Sequence, residues 1–429
     1  MFLKNIMQEK LNDNFVLKNR GYSNYEDTTE LPRHRWYYYK EGFSPNLVEK
    51  VIEESGITKN ELILDPFNGS GTTTLTASLL GYKSVGIEVN PFTTFLSDTK
   101  TKNADISQLN RLETKLLKSI EKGKTSPLTG FSTFTEKDDD EKWLFNNSVL
   151  NSFEGGWNFT NSISSYNNRR LIRLALISAA MKNCNATKDG KCLRYRESWK
   201  TYNYDKETFI ESLLLTLSNI RTDIKENPIF VKSKILKGDC RKILKKSTEI
   251  SDFNLCLTSP PYLNTFDYTD IYRPELFLGK FIQSSQELYN LRFKTVRSHI
   301  QVRWENPIQS DFGLLYQQTM KHIIENKVNL MHRQIPVMIQ AYFEDILYIL
   351  KLLKVKAAKN AQIWFIVSNS AYADLEVPVD LIIGDIATKA GWYLNEIGVL
   401  RYVKKRKTIH SPNITELRES VVILSNSKF

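Results

Sequence analysis

Four cysteines, Cys184, Cys192, Cys240 and Cys256, are scattered through 429 residues that hold only five histidines, and no zinc-binding spacing arises among them. Cys184 and Cys192, with seven residues between them, amount at most to half a metal site, so no metal is expected. The thiols read as free cysteines of a reducing, cytoplasmic compartment. No stretch approaches the roughly 20 consecutive apolar residues that a membrane-spanning helix requires. The start, Met1 to Lys10, alternates charged and apolar residues and does not read as a signal peptide. Internal repeats and low-complexity tracts are also missing. What is present is ordinary for a globular chain: 41% hydrophobic and 25% charged residues, in a length that accommodates one large domain with an insertion, or two domains. The net charge of +11 departs from neutrality in the direction of a polyanionic partner. Basic clusters at Arg169-Arg170, Lys188 to Arg196 and Arg401 to Lys407 lie among Tyr and Trp, as a nucleic-acid surface requires, although solvated basic faces have the same composition.

Residues 1–31 are polar and weakly patterned, and read as a flexible or late-docking arm. After the basic aromatic run Pro32 to Tyr39, Ser44 is placed to cap a helix with Pro45 at its first position and Leu47, Val48, Val51 and Ile52 on one face. Glu61 to Leu64 reads as a strand, Thr72 to Leu80 as a helix stopped by Gly81, and Ser84 to Ile87 as the next strand. That order is a βαβ unit with a right-handed crossover. Alternation then breaks: residues 101–232 carry helical patterns at Leu109 to Ile120, Arg169 to Met181 and Thr208 to Ile220, and read as a mostly helical insertion. Strands are expected again at Ile235-Leu236, Asn254 to Leu257 and Gln362 to Val367, with helices over Pro336 to Leu353 and Val379 to Lys389. Gly398 to Val403 and Glu419 to Leu424 read as an antiparallel pair.

Two short runs carry the chemistry. The first, Asp65-Pro66-Phe67-Asn68-Gly69-Ser70-Gly71-Thr72, is a turn between an apolar strand and a helix. Glycines there let backbone pass close to a ligand. The run lacks the lysine of a phosphate-binding loop and the third glycine of a dinucleotide turn, and an acid at the strand end repels phosphate while favouring a cationic ligand. Glu88 follows Gly71 by 17 residues, at the end of the next strand, where a carboxylate accepts ribose hydroxyls. The alternative for Glu88 is a buried structural acid.

The second run is Ser259-Pro260-Pro261-Tyr262, which an apolar strand enters. Two prolines stiffen the backbone. The Ser259 hydroxyl and the Pro260 carbonyl are placed to accept hydrogen bonds from an exocyclic amine, and Tyr262 offers a ring for a base taken out of its stack. No cysteine follows the prolines, so a covalent intermediate is not expected.

The block from Phe43-Ser44-Pro45 through Asp65–Thr72 to Glu88, joined to Ser259–Tyr262, resembles the S-adenosylmethionine-dependent DNA amino-methyltransferases of restriction–modification systems. The resemblance spans about residues 33–100 and 233–425. It implies an α/β, Rossmann-like fold with a mostly parallel sheet, an antiparallel C-terminal strand pair and a helical insertion. It further implies S-adenosyl-L-methionine as cofactor, with Phe43, Ser44 and Pro45 at its methionine end, Asp65 to Thr72 around it, Glu88 on its ribose and Asp239 near its adenine; the alternative for Asp239 is a turn aspartate that caps a helix. Double-stranded DNA is the implied substrate and a cognate restriction endonuclease the implied partner. In such enzymes Ser at the Ser259 position accompanies mainly N4-cytosine methylation, and Asp or Asn accompanies N6-adenine. Adenine methylation, an RNA amine acceptor and a catalytically silent binding protein are the alternatives.

The organisation expected is an arm (1–31), a cofactor half (32–100), the insertion (101–232) and a methyl-acceptor half (233–429). Two regions are candidates for reading DNA. One is the insertion, through Asn167 to Arg170 and Arg194 to Arg196. The other is about residues 280–335, through Arg292, Lys294, Arg297, His299, Arg303 and Trp304.

Overall fold

A computed structural model of the chain describes residues 9–15, 22, 24–137, 142–189, 192–250, 252–405 and 408–428. Of the features singled out above, most of Met1 to Lys10, Gly190-Lys191 and Arg406-Lys407 fall outside the described residues.

Eight strands form the central sheet: β1 (Leu11–Asn12), β2 (Leu62–Asp65), β3 (Lys83–Glu88), β4 (Lys234–Lys237), β5 (Phe253–Thr258), β6 (Ala357–Ser368), β7 (Tyr393–Lys404) and β8 (Glu416–Ser425). Their order is β1-β7-β8-β6-β5-β2-β3-β4. From β6 to β4 every neighbouring pair is parallel, whereas β8 runs antiparallel to both β6 and β7. The chain is thus a mixed α/β protein with a mostly parallel, Rossmann-like sheet and an antiparallel C-terminal pair. It leaves β2 toward β3 and β4 on one side and returns as β5 on the other. That reversal makes the ends of β2 and β5 the switch point, where open α/β sheets bind ligands.

Both faces of the sheet are buried, which is why its central strands read as continuous apolar runs rather than alternating ones. Ile63, Leu255, Leu257, Trp364 and Ile366 pack on one side against α1 (Pro45–Ser55) and Ala77 of α2 (Thr72–Leu80). Leu64, Cys256, Ile363, Phe365 and Val367 face the other side and join a single core with two later helices, Ile335–Lys356 and Val379–Lys389. α1 begins as the sequence predicts: Ser44 Oγ accepts from Asn46 N at 3.1 Å, with Pro45 in the first turn. α3 (Pro91–Lys100) starts the same way, at Asn90-Pro91.

The expected arm is docked where it is described. Leu11 and Asn12 pair in parallel with Ile397 and Gly398, and Phe15 is buried against Gly398. An apolar residue at the edge of the sheet is enough to hold it, a signal too short to read as a pattern.

The insertion holds four long helices: α4 (Ile106–Lys122), α5 (Asn147–Thr160), α6 (Tyr166–Lys182) and α7 (Lys206–Glu226). A small hairpin, Ala186–Lys188 with Leu193–Tyr195, lies between the last two. These helices do not stand apart. Phe153, Trp157 and Leu176 share one core with Trp36, Phe92 and Phe95 on one side and with Tyr272, Phe277 and Leu288 on the other. Arg33 ties the junction: its guanidinium donates to the carbonyls of Lys100, Lys102 and Asn227 at 2.8–2.9 Å. No helix among the described residues is long and apolar enough to cross a membrane.

Candidate active site

The glycine turn is built against the end of β3. Asp65 accepts from Phe67 N at 3.0 Å, which bends the chain after the strand, and Asn68 N then donates to Ile87 O at 2.9 Å. The Asn68 side chain lies on Gly86, where an added Cβ would sit 2.4 Å from Asn68 Cγ. A bare Cα in β3 is therefore what lets the turn close. Gly69 and Gly71 adopt positive φ, 48° and 87°. The close neighbours of Gly71 are protein atoms, with Ser97 Cβ 2.7 Å from the position a Cβ would take. Gly69 N donates to Glu88 Oε2 at 2.8 Å and Asn90 N to Glu88 Oε1 at 2.7 Å. These bonds hold the carboxylate at the tip of β3, and burial there raises its pKa.

The proline run leaves the end of β5 beside this turn. Thr258, the last residue of the strand, donates from its hydroxyl to Asp65 Oδ1 at 2.6 Å, so a single buried carboxylate joins the two runs. Burial pushes Asp65 up to about 6, and the hydrogen bonds from Thr258, Thr73 and Phe67 N pull the other way. At the far end of the clamp the Leu263 carbonyl accepts from the Ser370 hydroxyl and from the Tyr372 phenol, the latter at 2.9 Å. Tyr262 is fixed by its own hydroxyl, which donates to Glu419 Oε1 at 2.7 Å, while Arg401 holds the other oxygen of Glu419 at 2.5 Å. Burial and the adjacent carboxylate raise the Tyr262 phenol well above its ordinary range, with the Ser259 hydroxyl acting in the opposite sense.

One cleft of about 900 Å³ contains both runs. Phe43, Pro66, Phe67, Gly69, Glu88 and Asp239 line it together with Ser259, Pro260, Pro261 and Tyr262. The other candidates frame it from behind. Asp65, Asn68, Ser70, Gly71 and Thr72 are buried outside its lining, Ser44 caps α1 and bonds Asp27, and Pro45 is the first residue of that helix. Asp239 takes the helix-cap position that one of its two readings gave it. It caps the helix Cys240–Lys246 and lines the cleft, while Arg241 grips its two oxygens at 2.9 and 3.0 Å.

Further side chains complete the wall, of which Glu41 and Glu419 carry no signal in the sequence. Tyr39 lies beside Gly69 and stacks on Tyr272 with ring centroids 5.1 Å apart at 15°. Glu41, Tyr268, Arg401 and Glu419 also line the cleft. The run Pro32 to Tyr39 was visible only as basic and aromatic, and nothing in the local sequence marks Glu419.

Many of the cations proposed as DNA readers are engaged within the protein. Arg170 pairs with Asp98 at 3.1 Å, Arg196 donates to Cys184 O, Arg292 pairs with Asp267 at 2.5 Å and Arg297 with Glu344 and Asp345 at 2.6 and 2.9 Å. Asn167 and Asn168 bond to the carbonyls of Asn103 and Asp105. His299 is buried and its carbonyl accepts from Trp304 Nε1. Lys294 and Arg303 stay exposed, without an ion-pair partner among the described residues, and Lys294 lines the cleft.

Residues 4–97 match the family described as DNA methylase. Over 464 aligned residues the chain is 28% identical to the type II methyltransferase M.BsoBI of Geobacillus stearothermophilus, covering 94% of this chain and 88% of that protein. It is likewise 28% identical to the type II methyltransferase M.AvaI of Anabaena variabilis, covering 86% and 81%. A solved structure of the rRNA methyltransferase aviRa from Streptomyces viridochromogenes shares 11% identity over 98% of this chain and 92% of that one. The TM-score of that match is 0.31.

Proposed function

We propose that the chain, which matches the DNA methylase family over residues 4–97 and is 28% identical to type II methyltransferases over most of its length, is a site-specific DNA methyltransferase that methylates the exocyclic N4 of cytosine, acting beside a cognate restriction endonuclease in the cytoplasm. The observation that carries this reading is the shared cleft, with Thr258 bonded to Asp65 so that the proline clamp and the glycine turn meet at the switch point.

The cleft fits S-adenosyl-L-methionine by the chemistry of its donors and acceptors: a carboxylate at the end of β3, apolar and aromatic walls, and no lysine in the glycine turn to attract phosphate. Glu88 would take the ribose hydroxyls, Phe67 and Asp239 the adenosine side, and Phe43 the methionine side. When bound, the cofactor supplies an electrophilic methyl group on a sulfonium centre.

The protein's task is to make a poor nucleophile react. The lone pair of an exocyclic amine is delocalised into the ring. The Ser259 hydroxyl and the Pro260 carbonyl accept its N–H groups and favour the pyramidal form, in which the lone pair is free to attack. Two prolines keep those acceptors at a fixed position, so orientation is settled before the reaction begins. Tyr262, braced by Glu419 and Arg401, supports the ring of a base drawn out of the duplex. Lys294, exposed at the cleft, is placed to meet a phosphate.

The test is transfer of a labelled methyl group to DNA, followed by modification-aware sequencing of DNA from cells expressing the protein. N4-methylcytosine at a fixed motif is expected. N6-methyladenine would overturn the choice of base, and the absence of transfer to any DNA would overturn the reading.

A further inference from the structure

Beside the glycine turn lies a buried polar cluster that no step above uses. Lys188 donates to the Tyr37 phenol at 2.8 Å and to Glu275, and its ammonium sits 3.9 Å from the centre of the Tyr272 ring. The Tyr272 hydroxyl donates to Glu41 Oε2. The cluster therefore holds two carboxylates and one ammonium, and that ammonium is bound to Glu275. Glu41 feels the Lys188 charge from beyond contact and has no ion-pair partner of its own among the described residues. Its Oε1 is shielded from water and has no hydrogen-bond partner among the described residues beyond the backbone N–H of Glu41 itself. Leaving a buried acceptor unmatched costs about 1–3 kcal/mol, and more for a charged group. Unlike Glu275, Glu41 lines the cleft, between Tyr39, which abuts the glycine turn, and Phe43.

We infer that Glu41 receives the α-ammonium group of the cofactor's methionine end. The assignment rests on the functional reading above and adds a residue to it. With the ribose at Glu88 and the methyl group turned toward Ser259, the amino-acid end extends along the remaining wall, which Tyr39 to Phe43 form. The only cation required there is one that completes the charge of the cluster. Lys40 does not supply it, because its ammonium donates to the Lys188 carbonyl at 2.6 Å. Tyr272 orients the Glu41 carboxylate by holding one oxygen, which leaves the other for the incoming N–H.

The experiment is calorimetric and needs no turnover. S-adenosylhomocysteine and its analogue lacking the α-amino group are titrated into the full-length protein and into the Glu41→Gln and Glu41→Asp variants. Wild type is expected to prefer the amino-bearing ligand by about 10-fold or more, the strength of a charge-assisted bond. Glu41→Gln should lose most of that preference while binding the deaminated analogue as wild type does, and Glu41→Asp should retain part of it. An equal preference in wild type and Glu41→Gln overturns the assignment while leaving the functional reading in place. Wild type that binds neither ligand overturns the functional reading itself and the assignment with it. Should Glu41→Gln fail to fold, the Glu41→Asp titration decides alone: an undiminished preference there overturns the assignment.

Discussion

Replacing Asp65 with asparagine removes a buried charge from the joint between the two halves of the cleft, and the effect on stability has a definite sign. The carboxyl is pushed from 3.8 to about 6 by burial, a rise of about two pH units. At 1.36 kcal/mol per unit that is about 3 kcal/mol. Because the folded pKa is the higher one, the folded chain holds a proton that the unfolded chain has released between about pH 4 and pH 6. The stabilisation is complete below the unfolded value and is lost as pH rises through the folded value. Asparagine keeps an oxygen for Thr258 and Phe67 N, whose bonds are 2.6 and 3.0 Å, but does not titrate. The stability of wild type relative to Asp65→Asn should therefore fall by about 3 kcal/mol between about pH 4 and pH 7. Denaturant unfolding of both proteins across that range measures it. A difference between them that does not change with pH would refute the reasoning, since it would mean that the carboxylate is as well solvated in the folded protein as outside it.

Three further outcomes are expected. Gly86→Ala places a methyl group 2.4 Å from Asn68 Cγ and should cost about 1–3 kcal/mol while weakening S-adenosylhomocysteine binding, read by thermal unfolding and calorimetry; unchanged melting would show that the turn does not rest on β3. Tyr262→Phe keeps the ring but loses the bond to Glu419, so methyl transfer should slow about 10-fold or more at unaltered cofactor affinity, and an unchanged rate would show that Glu419 does not orient the ring. Lys188→Met leaves Glu275 buried without its cation and should destabilise the fold by about 3–5 kcal/mol, with most of the loss recovered by adding Glu275→Gln; equal melting of wild type and Lys188→Met would remove the ion pair from the account.

Much of the fold was legible because its signals are local. The strand Leu62–Asp65, the helix Thr72–Leu80 and the helix Val379–Lys389 follow from apolar runs and from stop and start residues that act over one turn. The helix α5 was not legible: Gly155 and Gly156 lie within it, and glycine disfavours an isolated helix. In the folded chain those residues permit contact instead, since a Cβ on Gly155 would lie 2.4 Å from the Ser119 carbonyl of α4. Tertiary packing there outweighs local propensity.

By itself the sequence determined the two runs, the order in which they occur and the strands that carry them, because a glycine turn and a double proline constrain backbone within a few residues. Only the tertiary structure decided which of those residues face the cleft. It turned Asp65 inward to hold Thr258 and left Glu88 on the lining. It likewise brought Tyr39 and Arg401 to the same wall, together with Glu41 and Glu419, which no local pattern distinguishes. A side chain's exposure and partners depend on segments hundreds of residues away, and those meet only when the sheet has assembled.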